Sequence, residues 1–105
     1  MIRHIVWWTI KRDPKGQSVE DNVFFIHGAS AELQNNPYSS ALEVSAKVDS
    51  GSTVPAQVVL LATFDTADKL KAFENDPVVQ RFEKMVEEKS TSRNCINYEV
   101  LPNLG

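Results

Sequence analysis

Two histidines, two tyrosines and one cysteine hold most of the proton-transfer and nucleophilic capacity of this 105-residue chain. His4 lies in Ile2-Arg3-His4-Ile5-Val6-Trp7-Trp8, where the period-two alternation of a strand sets it on one face with Val6 and Trp8. An imidazole there suits a proton shuttle, since histidine changes charge around neutrality, and its bland alternative is a structural hydrogen bond. Tyr98, on the closing segment, offers a hydroxyl that either donates to a ligand or orients His4. His27 falls beside the apolar stripe of a helical segment, so it either lines the same pocket from above or stands at the surface. The candidate catalytic pair is therefore His4 and Tyr98, and His4, Val6, Trp8, His27 and Tyr98 are candidate ligand-lining residues.

Metal chemistry has little support. No His-x-x-x-His or Glu-x-x-His spacing occurs, and the single cysteine, Cys95, excludes a cysteine cage or an internal disulfide. Neither metal nor cofactor is expected, and Cys95 reads as a small, half-buried strand residue.

The elements that must position these groups follow from periodicity and breakers. The opening run through Ile10 reads as a strand rather than a signal peptide, because Lys11, Arg12 and Asp13 end it with no small-residue cleavage site. Asp13-Pro14-Lys15-Gly16 is a turn. Ser18 with Asp21 resembles a helix cap, and Val19, Val23, Ile26, Ser30 and Leu33 then recur at helical spacing to about Asn35, before Pro37. Leu42, Val44, Ala46 and Val48 alternate with polar residues as an edge strand does, whereas Val58 to Phe64 is apolar on both faces, as in a central strand. Asp65 or Thr66 caps a short helix carrying Leu70 and Phe73; Asn75-Asp76-Pro77 breaks it and starts another through Val78, Phe82, Met85 and Val86. A last strand spans about Asn94 to Leu101. Phe24, Phe25, Phe64, Phe73 and Phe82 are most simply core, and Glu83 to Glu88 a solvated helix face.

The order β-α-β-β-α-β is the split βαβ plan of the ferredoxin-like α+β fold, with a four-stranded antiparallel sheet over one domain, residues 1–105. Two helical layers cover one sheet face only, yet the first strand is apolar on both parities, with Trp7 and Trp8 pointing to opposite sides. The uncovered face calls for a second copy packed sheet to sheet, a homodimeric barrel. Eleven basic against fourteen acidic residues, a net charge of −3, argue against a nucleic-acid surface. No apolar stretch approaches the roughly 20 residues of a bilayer span, so no membrane role and a cytoplasmic location are expected.

The opening Met-Ile-Arg-His-Ile-Val, the Phe64-Asp65 strand end, the Ala72-Phe73-x-x-x-Pro77 break and the closing Asn97-Tyr98-Glu99-Val100 together resemble the stress-responsive A/B barrel (Dabb) family over almost the whole chain. The resemblance implies a dimeric α+β barrel; a few such proteins are polyketide cyclases that close an aromatic ring without a cofactor. In those members a histidine follows the opening basic residue, and His4 matches it. A tyrosine shortly before a His-Pro-x-His segment also joins their acid–base chemistry, and there this chain has Phe73, Asp76 and Val79 in place of the tyrosine and the two histidines. An aldol closure needs a base near the acidic carbon and a donor for the developing oxyanion, which Phe73 and Val79 cannot supply. Phe73 thus counts among the ligand-lining residues. The foremost expectation is a homodimer binding a small apolar or aromatic molecule between sheet and helices. The alternatives are a cofactor-free cyclase-like enzyme with His4 as acid–base and a non-catalytic, stress-related structural dimer.

Overall fold

Strand β1 (Ile2–Ile10) buries every second side chain, His4, Val6, Trp8 and Ile10, and keeps Arg3, Ile5, Trp7 and Thr9 half-buried. A strand apolar on both faces belongs inside a sheet, and β1 pairs antiparallel on either side, with β3 (Val58–Phe64) and β4 (Ser90–Glu99). Strand β2 (Ala41–Ser45) adds to the far side of β3, so the order is β2-β3-β1-β4. This computed structural model describes residues 1–13 and 15–101, so Pro14 of the expected turn lies outside the described residues, as does the end of the chain beyond Leu101. The turn's glycine, Gly16, takes φ +117°, which a side chain would resist, and its N–H donates to the Asp13 carbonyl at 3.1 Å.

The helices lie on one face of this sheet. Helix α1 (Val19–Ala29) starts at Ser18, whose hydroxyl accepts from the Asp21 N–H at 3.1 Å. The chain then tightens into a 3₁₀ stretch, Ser30–Asn35, where a continuous α-helix was expected. The Ser30 hydroxyl turns back onto the His27 carbonyl at 2.6 Å, a local bond that competes with the α ladder. Helix α2 (Ala67–Asn75) is capped by Thr66 and α3 (Pro77–Glu88) by Asp76, whose carboxylate accepts from the Val78 N–H at 2.8 Å. Their buried side chains, Leu70, Phe73, Val79, Phe82 and Val86, meet Val6, Trp8, Leu60 and Phe64 from the sheet, with Ile26 and Leu33 closing the other end.

Three expectations are corrected. Phe24 and Phe25 are not core: they are 82% and 55% exposed, because the buried stripe of α1 runs through Asn22 and Ile26. Phe24, two residues from each, is turned about 200° around the axis from both. Instead Lys89 Nζ stands over the Phe25 ring at 5.0 Å and donates to Asn22 Oδ1 at 3.4 Å. Strand β2 stops at Ser45 rather than Val48, since the Lys47 N–H donates to the Ser45 hydroxyl and leaves the ladder. Strand β4 begins at Ser90, four residues before the expected Asn94; Ser90 to Arg93 carry no apolar alternation, and the pairing of Ser90, Ser92 and Arg93 with β1, across an irregularity at Thr91, is what makes them strand.

Buried and exposed phenylalanines should therefore separate sharply in urea unfolding. Phe82→Ala should cost about 3–5 kcal/mol, and Asp76→Ala about 1 kcal/mol through the lost cap. Phe24→Ala should change stability by no more than about 0.5 kcal/mol.

Candidate functional site

His4 is 1% exposed and occupies the helix-side face of the sheet in a row with Leu42, Ala62 and Asn97. Its Nδ1 lies 2.5 Å from Asn97 Oδ1 and 3.5 Å from Cys95 Sγ. A carboxamide oxygen only accepts, so the contact is a hydrogen bond when Nδ1 carries the proton. Nε2 is buried with no hydrogen-bond partner among the described residues. The Phe64 and Phe73 rings each meet the imidazole edge-on at 6.4 Å, and they meet one another at 5.1 Å. His4 is thus tied at Nδ1 to Asn97 and leaves Nε2 without a partner among the described residues, in an aromatic corner.

Register explains what is beside it. β4 presents Arg93, Cys95 and Asn97 to the helix side and Asn94, Ile96 and Tyr98 to the open side. Tyr98, expected to share a pocket with His4, is corrected to the opposite face: its hydroxyl accepts from Arg3 Nη1 at 3.4 Å, and the two-residue period of β1 separates Arg3 from His4. Asn97 takes the orienting place instead. Cys95, next to it, is exposed rather than half-buried. Partial burial desolvates its thiol, which raises the thiol pKa. Glu74 and Glu83 push the same way, and Arg93 opposes them. Glu83 also pairs with Arg93 at 3.3 Å, so it is not simply a solvated acid.

The remaining expected residues separate. Phe73 packs on His4, whereas Val6 and Trp8 are fully buried in the core, Trp8 edge-on to Phe82 at 6.5 Å with its Nε1 unpartnered among the described residues. His27 is exposed and lines a different space, a groove of about 550 Å³ between α1 and the chain that joins β2 to β3. Val19, Val23 and Phe24 form one wall, Ala46, Val48 and Ala56 the other, and Glu20, His27, Lys47 and Gln57 supply the polar groups. Gln57 anchors the floor: its N–H donates to the Trp8 carbonyl at 3.0 Å, and its side-chain oxygen accepts from the Ile10 N–H at 2.7 Å. The groove therefore sits at the Trp8 end of β1, about 13 Å along the strand from His4. No three histidine, cysteine or acidic side chains gather as a metal cage among the described residues. No helix among them is long and apolar enough to cross a membrane.

A four-stranded antiparallel sheet with helices on one face and strand order β2-β3-β1-β4 defines a ferredoxin-like α+β domain. The chain belongs to the stress responsive A/B barrel domain family, whose profile matches residues 2–100. It is similar in fold to a dimeric protein of unknown function from Bacteroides fragilis, at 23% identity over 94% of this chain and 95% of that one, with a TM-score of 0.73. A hydroxynitrile lyase from Passiflora edulis is similar at 18% identity over 99% and 96% of the two chains, with a TM-score of 0.77. A Dabb family protein with a ferredoxin-like fold from Mesorhizobium loti stands at 18% identity over 96% and 97%, with a TM-score of 0.72. Likeness at these identities is one of fold. No curated protein matches the sequence.

The environment of Cys95 predicts a slow thiol. With its pKa raised, a smaller fraction is thiolate at neutral pH than in an unperturbed cysteine. Alkylation by iodoacetamide should be slower than that of a cysteine peptide at pH 7.5 and should accelerate only above the ordinary thiol range; Arg93→Ala, which removes the opposing cation, should slow it further.

Proposed function

We propose that the domain acts as a homodimer joined through its open sheet faces and that each protomer binds a small, mostly apolar or aromatic molecule between α1 and the chain that joins β2 to β3. The groove carries this reading. Its volume of about 550 Å³ suits a small organic molecule, its walls are valine, alanine and phenylalanine, and its few polar groups are gathered in Glu20, His27, Lys47 and Gln57. That combination favours a ligand with an apolar body and one polar end. Phe24 supports the reading further, since a phenylalanine 82% exposed at the lip gains most if a ligand covers it.

Dimerisation is supported by the residues left on the uncovered face. Ile5, Trp7, Val59 and Leu61 are only half-buried there, and β4 turns Ile96 and Tyr98 to that side beside Asn94, while Arg93, Cys95 and Asn97 face the helices. The B. fragilis relative is dimeric.

The partnerless Nε2 of His4 favours a second reading, acid–base chemistry at His4 without a cofactor. The Asn97–His4 pair has the form of a base with its orienting group, as proton-transfer sites require.

Thermal shifts with small aromatics, fatty acyl chains and β-diketones test the groove. A ligand at about 100 times its dissociation constant should add roughly 2.7 kcal/mol, a shift of several degrees in a domain of this size. Val23→Trp, which fills the groove, should abolish the shift while leaving the protein folded. A shift that persists in Val23→Trp and disappears in His4→Ala would move the site to the aromatic corner, and no shift across the panel would overturn ligand binding.

A further inference from the structure

We infer that the two charges on the bare sheet face, Arg3 and Glu43, form reciprocal ion pairs between two copies of this chain: Arg3 of each protomer meets the partner subunit's Glu43. The inference rests on the homodimer reading and deepens it, since it names the contact that selects one packing of the two faces. Register puts both side chains on that face. Arg3 shares the parity of Ile5 and Trp7 on β1, and Glu43 lies opposite Leu61, which itself lies opposite Ile5. Every other strand residue of that parity is uncharged.

Neither charge is neutralised within its own protomer. Arg3 donates to the Tyr98 hydroxyl at 3.4 Å, and neither Arg3 nor Glu43 takes part in an ion pair among the described residues. The two positions are two strands and two residues apart, about 12 Å, which is too far for direct contact. Tyr98 stands on the side of β1 away from β2, so its bond draws the guanidinium away from Glu43 of the same chain. Covering a half-buried guanidinium with an apolar face and no counter-charge is strongly unfavourable. A second copy that seals this face must therefore bring a carboxylate to Arg3, and Glu43 is the one its described strands carry there.

Two-fold symmetry makes the match available. Contacts across such an axis are reciprocal, so one match yields two. An axis lying between the faces and passing over β3, between Leu61 and Thr63, exchanges the Arg3 and Glu43 positions. A hollow of about 380 Å³ bordered by Arg3, Glu43, Leu61 and Thr63 lies at that point and leaves room for the long side chains of both copies. Sheets stack about 10 Å apart, a gap that an arginine and a glutamate reaching toward one another close. The pair also fixes register, because sliding the two sheets leaves both charges unmatched.

Analytical ultracentrifugation of the full-length protein provides the test, with dimer dissociation constants for wild type, Arg3→Glu, Glu43→Arg and an equimolar mixture of the two variants. The wild type should dimerise. Each variant alone sets like charges against one another at both contacts and should dimerise at least about a hundredfold more weakly. In the mixture both contacts of a heterodimer are again of opposite sign, so heterodimers should form with nearly the wild-type affinity. Circular dichroism checks the fold of each variant. Glu43 is exposed on an edge strand, so Glu43→Gln keeps the test available if Arg3→Glu does not fold. It should weaken the dimer about tenfold. A wild-type dimer that folded Arg3→Glu, Glu43→Arg and Glu43→Gln leave equally tight would overturn the ion pairs and leave the homodimer reading standing. So would folded, weakened single variants that mixing does not restore. A wild-type monomer would overturn both.

Discussion

One face of the four-stranded sheet has helices and the other has none, and that asymmetry governs the rest of the molecule. On the covered side, Val6, Trp8, Leu60, Phe64, Phe73 and Phe82 are almost wholly removed from water. On the bare side the central strands still carry Ile5, Trp7, Val59 and Leu61, residues that a solvated face does not need. A domain near 100 residues hides only about two thirds of its unfolded surface by itself, so pairing the bare faces adds burial that the fold lacks alone.

The same asymmetry places the chemistry. The helix layer covers the edge strand β4 only in part: α3 touches it through the Glu83–Arg93 pair, and the helix-side residues Arg93, Cys95 and Asn97 remain exposed. His4 sits one strand further in, at the boundary where covered core gives way to open edge. One of its nitrogens meets the amide of that edge, and the other lies within the aromatic core. At the other end of the layer, the chain between β2 and β3 stands away from α1 and leaves the groove that His27 and Lys47 border.

The fold was largely legible because it rests on strong local signals. Pro77 after Asp76, the doubly apolar Val58–Phe64 run and the alternation of β1 each admit one reading, and together they impose the β2-β3-β1-β4 order. His4 and Phe73 were also legible, since the face of a strand and the face of a helix follow from counting. Tyr98 and Asn97 were not. The usual assumption that apolar residues face the core assigns Ile96 and Tyr98 to the helix side, but on this edge strand the apolar parity faces the bare side. Only the cross-strand register, His4 opposite Asn97, reveals the pair, and register is a property of two strands rather than one. The exposed Phe24 and Phe25 misled in the same manner, because hydrophobicity without angular position does not specify burial.

Covering of the bare face by a second copy, as proposed, would account for both the apolar parity of β4 and the half-buried Trp7 on β1. Light scattering on wild type and Ile5→Asp, side by side at micromolar concentration, measures this most directly. The wild type should have twice the chain mass of 11.8 kDa, and Ile5→Asp, with a charge at the middle of the bare face, should fall toward the single-chain value. A wild-type mass of 11.8 kDa, or a dimer that Ile5→Asp leaves intact, would contradict it.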